Sequence, residues 1–289
     1  RPDMQQDLPV IRTKTLVPRR RKEVLSRPRL LSILDNVFDL KLLILAAPAG
    51  YGKTSLLVDF TYQTTAPVCW LAIDPLDSDP QRFITHFIVS IQQKFPSFGH
   101  IALATLAELR QDNINLDPVI SAIVNDAYEV INEHIVFVLD DYHLVRDCKP
   151  IETFINRIIQ ETTENFHFII ASRTLLTLPD LSLLVAHSQV DGLSFEELAF
   201  SSSEIKNLMA ENYGRDITDE EASDLITSTE GWITGLLLTA QLTSKGADSQ
   251  SRVKKVSGVD IYEYLTQQVF NRQSENMRKV LLQTSLLDE

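Results

Sequence analysis

The sequence predicts an α/β fold: a parallel sheet covered by helices on both faces, followed by a smaller all-helical region. Three observations predict it. Short, nearly continuous apolar runs alternate with helical periodicities up to about residue 195. The first of those runs enters a glycine-containing turn, AAPAGYGKT at 46–54, which opens into a helical pattern. From about Ser201 the strand-like runs stop and only helical patterns remain.

Residues 1–23 are polar, contain the basic run PRRRK at 18–22, and are expected to be an extended or poorly ordered extension. From Ser26, LSRPRLLSILDNVF spaces its apolar residues helically. LKLLILA (40–46) reads as a strand and TSLLVDFTYQ (54–63) as a helix. PVCWLAI (67–73) is a strand and PQRFITHFIVSIQQKF (80–95) an amphipathic helix. After more helix come the strand HIVFVLDD (134–141), the helix IETFINRIIQET and the strand FHFIIAS (166–172). Apolar runs of this length between helices indicate parallel strands buried on both faces. Ser202 or Ser203 is placed to cap the first helix of the later region and Gly214 to stop it. Thr218 and Gly231 bracket the second. The expected domains are therefore 24–195, 196–245 and, after the polar linker KGADSQSR, the start of a third unit within 246–289.

Composition narrows the function classes. With 27 Lys and Arg against 39 Asp and Glu, the net charge of −12 is the wrong sign for gripping a nucleic-acid backbone. Cys69 and Cys148 have no C-x-x-C spacing, which fits a reducing, cytoplasmic setting. No apolar run is long enough to span a membrane. The absence of an initiating Met and the C-terminal cut through an apolar periodicity suggest a fragment of a longer protein.

A strand running through such a turn into a helix is a P-loop, here Ala47, Pro48, Ala49, Gly50, Tyr51, Gly52, Lys53 and Thr54. Successive main-chain N–H groups at a helix N-terminus cradle phosphate, and glycine is needed where φ is positive or the ligand comes closest. Lys53 is expected to reach the β- and γ-phosphates of ATP, and the Thr54 hydroxyl to complete a Mg²⁺ shell. Ala47 stands at the usual first glycine, which is acceptable if its φ is negative and its methyl points away from the ligand.

HIVFVLDDYH brings Asp140 and Asp141 to the C-terminal edge of a strand, where ligands of open α/β sheets bind. Asp140 is the expected metal-side carboxylate, acting through water. Asp141 stands where many ATPases carry the glutamate that polarises the attacking water. One methylene shorter, it predicts slow hydrolysis. Arg173 ends the strand FHFIIASR at the same edge, either as a sensor of the γ-phosphate or as an ion-pair partner of the aspartates. In DPLDSDPQRF, Asp79 before Pro80 reads as a helix N-cap rather than part of a calcium site, and His143 as a loop residue rather than a base.

These motifs, in this order, resemble the nucleotide-binding module of the large ATP-dependent LuxR-type transcriptional regulators of the MalT kind, within the STAND class of P-loop ATPases. The resemblance covers most of the chain. TKTLVPRRRKEVLSRPRLLSIL matches the family's opening segment, with Val24, Arg27, Arg29 and Leu30 in characteristic positions. AAPAGYGKT, CWLAIDPLDSDPQRFITHF, VLDDYHLV, FIIASR, EGWITGLLLTA and DIYEYLTQQVF match its later motifs. Ile233 follows Trp232 where related proteins often have a proline that touches adenine. The resemblance implies a five-stranded sheet of order 5-1-4-3-2, adenine near Val24, Arg27 and Arg29, a helical lid, and a winged-helix region starting in 246–289. It also implies self-association favoured by ATP, an inducer that the sequence does not name, and DNA binding only through a C-terminal helix-turn-helix beyond Glu289.

Together these features indicate a nucleotide-operated switch that binds ATP or ADP with Mg²⁺. The rival is an AAA-like ATPase or a P-loop kinase, or a STAND signalling protein with a non-DNA output. A kinase would want an arginine-bearing lid, but Lys206 and Arg215 are the only basic residues from 201 to 244.

Overall fold

The computed structural model describes residues 10–109 and 115–237. They fall into two compact units, one of residues 10–48 with the described part of 52–198, and one of residues 199–237 with 49–51 of the turn.

In the first unit, α1 (Pro28–Leu34) precedes β1 (Leu42–Ala46), α2 (Lys53–Gln63), β2 (Val68–Ala72), α3 (Pro80–Gln92), α4 (His100–Glu108) and α5 (Asp117–Val130). Then follow β3 (Ile135–Asp140), α6 (Lys149–Glu161), β4 (Phe166–Ser172), α7 (Leu181–Ala186), β5 (Val190–Ser194) and α8 (Phe195–Leu198). The five strands form one parallel sheet of order β2-β3-β4-β1-β5, the order implied by the family resemblance. β3 and β4 are buried along their whole length, which is why their sequences run apolar without alternation. α6 turns Ile151, Phe154, Ile155, Ile158 and Ile159 inward at helical spacing. Phe87 of α3 stacks on Phe137 of β3 at 4.3 Å and meets Phe154 edge-on at 5.3 Å. Each such ring contributes about 1.5–3 kcal/mol by burial.

The register carries the geometry to one end. Ala46 pairs with Ser172, Ala72 with Asp140 and Leu139 with Ile170. The turn after β1, the acids after β3 and Arg173 after β4 therefore share the C-terminal edge of the sheet.

Two expectations need correcting. The N-terminal extension is not uniformly extended, because Arg12–Thr15 form a 3-10 turn with Lys14 and Thr15 buried. Lys14 pairs with Asp77 and lies 2.7 Å from Asp74, while Asp77 also takes Arg82 Nε at 3.0 Å. Pairing offsets part of the desolvation that the buried lysine and aspartate would each suffer alone. In the same segment Asp74 caps the 3-10 turn Pro75–Ser78 and Asp79 caps α3, as the Asp-Pro pattern predicts for Asp79. Among the described residues no group of three or more His, Cys, Asp or Glu side chains is placed to hold a metal ion, Asp74, Asp77 and Asp79 included.

In the second unit, α9 (Ser202–Tyr213) and α10 (Asp219–Thr229) follow in turn. Ser201, not Ser202 or Ser203, is the N-cap of α9: its hydroxyl accepts from Glu204 N, and the Glu204 side chain accepts from Ser201 N. That reciprocal pair needs a glutamate three residues on, which only Ser201 has. Thr218 and Glu221 cap α10 in the same way, and Gly214 ends α9 with φ +60°. The linker and winged-helix region expected in 246–289 lie outside the described residues.

Candidate nucleotide-binding turn

Gly50 and Gly52 have φ of +81° and +78°, so both glycines are where the left-handed conformation requires them. Among the described residues only Asp141, Ser188 and Glu230 have positive φ without being glycine. Ala47 is thus in the conformation that tolerates a side chain, and its N–H donates to Ser172 O. Gly50 has a second reason to lack a side chain. A Cβ there would lie within 2.5 Å of Thr234 Oγ1 and would collide with the Trp232 indole.

Lys53 is buried, and its Nζ donates to Ala47 O at 2.5 Å and Pro48 O at 2.9 Å. Burial lowers its pKa to about 8, opposed by Asp141, assisted by the positive charge of Arg173, and opposed again by Asp140. Those influences place Lys53, Asp140, Asp141 and Arg173 in one electrostatic neighbourhood. Thr54 Oγ1 donates to Asp140 Oδ2 at 2.9 Å, joining the first turn of α2 to the end of β3 although β4 lies between β1 and β3. Asp140 Oδ1 is buried without a partner of hydrogen-bond geometry. Burial and the neighbouring Asp141 raise the Asp140 pKa to about 6, against the pull of Thr54 and Lys53. A buried carboxylate with an open oxygen beside a threonine hydroxyl fits a hard divalent cation with oxygen ligands.

Asp141 adopts φ +62° and ψ +36°, a left-handed conformation that costs a non-glycine residue about 1–3 kcal/mol. Strain of this kind concentrates at functional sites. His143 Nδ1 stands 3.7 Å from Asp141 Oδ1, within ion-pair range if the imidazole is charged.

Val24 precedes α1, Arg27 is its N-cap residue and Arg29 lies in its first turn, and both arginines reach the segment that follows β5. Arg27 is buried and its Nη1 donates to Leu198 O at 2.9 Å, while Arg29 Nη1 donates to Glu197 O at 3.0 Å. Both guanidinium groups hold the chain to the end of α8. On α2, buried Asp59 accepts from Arg20 Nε at 2.7 Å and Ser26 Oγ at 2.8 Å. Sequence reasoning missed Asp59. Its signal was a carboxylate inside the apolar pattern LLVDF.

In the second unit the EGW segment makes a tight turn. Glu230 and Gly231 both have positive φ, and Phe200 N donates to Gly231 O at 3.0 Å. A side chain at 231 would meet Ala199 Cβ and Phe200 N at 2.9 Å. Trp232 Nε1 donates to Ala49 O at 3.0 Å, and Thr234 donates to Gly50 O through Oγ1 at 3.2 Å and N at 3.3 Å.

The parallel sheet and the strand–turn–helix that crosses its C-terminal edge define a P-loop NTPase fold. The chain is 28% identical over 283 residues, 96% of its length, to the HTH-type transcriptional regulator MalT of Yersinia pestis (strain Pestoides F). The same extent and identity are found with MalT of Yersinia enterocolitica serotype O:8. The chain spans 31% of the length of these relatives. Among solved structures, a STAND protein with a tetratricopeptide repeat sensor from Pyrococcus horikoshii superimposes with a TM-score of 0.50 at 17% identity. It covers 94% of this chain and 36% of its own. No protein-family model matches the chain.

Proposed function

We propose that the chain is the nucleotide-binding switch module of a MalT-like transcriptional regulator. In this reading it binds ATP or ADP with Mg²⁺, hydrolyses slowly, and uses the bound nucleotide to govern self-association and transcription activation. The observation that carries the reading is the Thr54–Asp140 hydrogen bond at the strand edge, which brings a hydroxyl and a half-satisfied carboxylate to the mouth of the P-loop.

The roles follow from the chemistry. Amides of the Ala47–Thr54 turn and the Lys53 ammonium receive the phosphates. Thr54 and, through water, Asp140 hold Mg²⁺, which when bound offsets phosphate charge. Asp141 orients water less effectively than a glutamate would, and Arg173 distinguishes ATP from ADP. The base lies near Val24, Arg27 and Arg29. The proposed organisation is an extension at 1–23, a nucleotide domain at 24–195, a helical lid at 196–245, and a linker with the start of a winged helix at 246–289. DNA contact and inducer sensing belong to regions outside this chain, and similarity to transcriptional regulators supports a cytoplasmic location. Each nucleotide shifts the module only by its differential affinity for the two states.

The test is mass spectrometry of nucleotide retained through native purification, paired with calorimetry of ATP and ADP and a steady-state hydrolysis assay. Retained adenine nucleotide and turnover well below about one per second fit the switch. Turnover of roughly ten per second or more without a partner would overturn it in favour of an AAA-like enzyme.

A further inference from the structure

We propose that Trp232 and Thr234 are positioning residues for the phosphate turn, setting the direction of its amides from behind. This inference rests on the nucleotide-binding reading above and extends it to residues with no ligand role. In a planar trans peptide the C=O and the following N–H point in opposite directions. Trp232 Nε1 holds the carbonyl of Ala49, so the N–H of Gly50 is turned away from the indole. Thr234 holds the carbonyl of Gly50 through both hydroxyl and amide, so the N–H of Tyr51 is turned away likewise. Those two amides sit in the middle of the turn that the P-loop pattern assigns to phosphate.

Gly50 supports the assignment independently. Its φ of +81° already favours glycine, yet the atoms a Cβ would strike are Trp232 Nε1 and Thr234 Oγ1. The close approach is therefore one between peptide and positioning side chains. All of these residues belong to the second unit, which takes Ala49–Tyr51 out of an otherwise continuous first unit. Preorganised amides need no reorientation when the anion arrives, which is where fixed dipoles gain over mobile ones.

The experiment compares ATP, AMP and inorganic tripolyphosphate binding by calorimetry in the 289-residue chain, for the wild type, Trp232→Phe, Thr234→Val and Thr234→Ser. Phenylalanine keeps the ring and removes the donor; valine removes only the hydroxyl. The expected result is a loss of roughly tenfold in tripolyphosphate affinity and in the ATP-to-AMP affinity ratio for each of the first two variants, the size expected of one buried hydrogen bond. Thr234→Ser restores both. General loosening of the helices would lower ATP and AMP affinity in proportion, leaving the ratio unchanged, and that outcome would overturn the positioning role. So would unaltered tripolyphosphate affinity in both variants. If Trp232→Phe fails to fold, Thr234→Val decides alone. If the wild type binds neither ATP nor tripolyphosphate, the nucleotide reading itself fails, a result distinct from wild-type binding that the variants leave intact.

Discussion

Replacing Asp140 with asparagine should stabilise the ligand-free chain near neutral pH while weakening its use of Mg²⁺. Asp140 is 6% exposed, one carboxylate oxygen has no partner, and burial with the adjacent Asp141 raises its pKa from 3.8 to about 6. A raised carboxylate pKa means that the folded chain holds a proton the unfolded chain has released. Stability therefore falls as pH rises from 3.8 to about 6, and the whole penalty is present above that window. About two units at roughly 1.4 kcal/mol each give a ceiling of about 3 kcal/mol. Asparagine is itself a buried polar group, so a net gain of about 1–3 kcal/mol is expected, or about 2–10 °C in Tm for a chain of this size.

The assay is thermal unfolding of both proteins without ligand near pH 7.5, 5 and 4, repeated with excess Mg·ATP. The advantage of the variant should fall to about half near pH 5 and to roughly a fifth near pH 4, where the folded carboxyl is protonated and the unfolded one is about half protonated. With Mg·ATP the order should invert, since the wild type gains more from the ligand. An Asp140→Asn protein less stable than the wild type near pH 7.5, or one whose advantage persists unchanged at about pH 4, would refute the reasoning.

Other outcomes follow from the same geometry. Lys53→Ala should reduce ATP affinity by at least roughly a hundredfold with the fold retained, and intact binding of a fluorescent ATP analogue with native circular dichroism would contradict the site. Arg173→Ala should narrow the ATP-to-ADP affinity ratio by about 1–3 kcal/mol, and an unchanged ratio by calorimetry excludes it as the γ-phosphate sensor. Gly50→Ala should cost about 1–3 kcal/mol through its positive φ and the collision with Trp232 and Thr234, read as a lower Tm together with weaker tripolyphosphate binding.

What could be read from residues alone was what depends on neighbours in sequence. β1 to β4 show as apolar runs because both their faces are covered, and the P-loop shows because its glycines, lysine and threonine act within eight residues. β5 did not show. Its run VDGLS is only partly buried on the sheet edge and contains Asp191 and Gly192, both exposed, so neither propensity nor periodicity marks it; only the family resemblance supplied the fifth strand. Gly192 sits there because a side chain would come within 3.0 Å of Ile44 O on β1. The features that escaped are pairings over long separations: Lys14 with Asp77, Arg20 and Ser26 with Asp59, Arg27 with Leu198, and Trp232 with Ala49. A buried charge or an indole donor carries no local pattern that names its partner. Trp232 illustrates the consequence. In the sequence it stood only as part of a helical lid motif, whereas in the structure its indole N–H is committed to a peptide carbonyl of the turn. A donor so committed leaves the ring as the only surface that could meet a base. Under the proposed reading, hydrogen-bond readout of adenine then falls to other residues, and the phosphate turn is the part of the site that Trp232 is placed to influence.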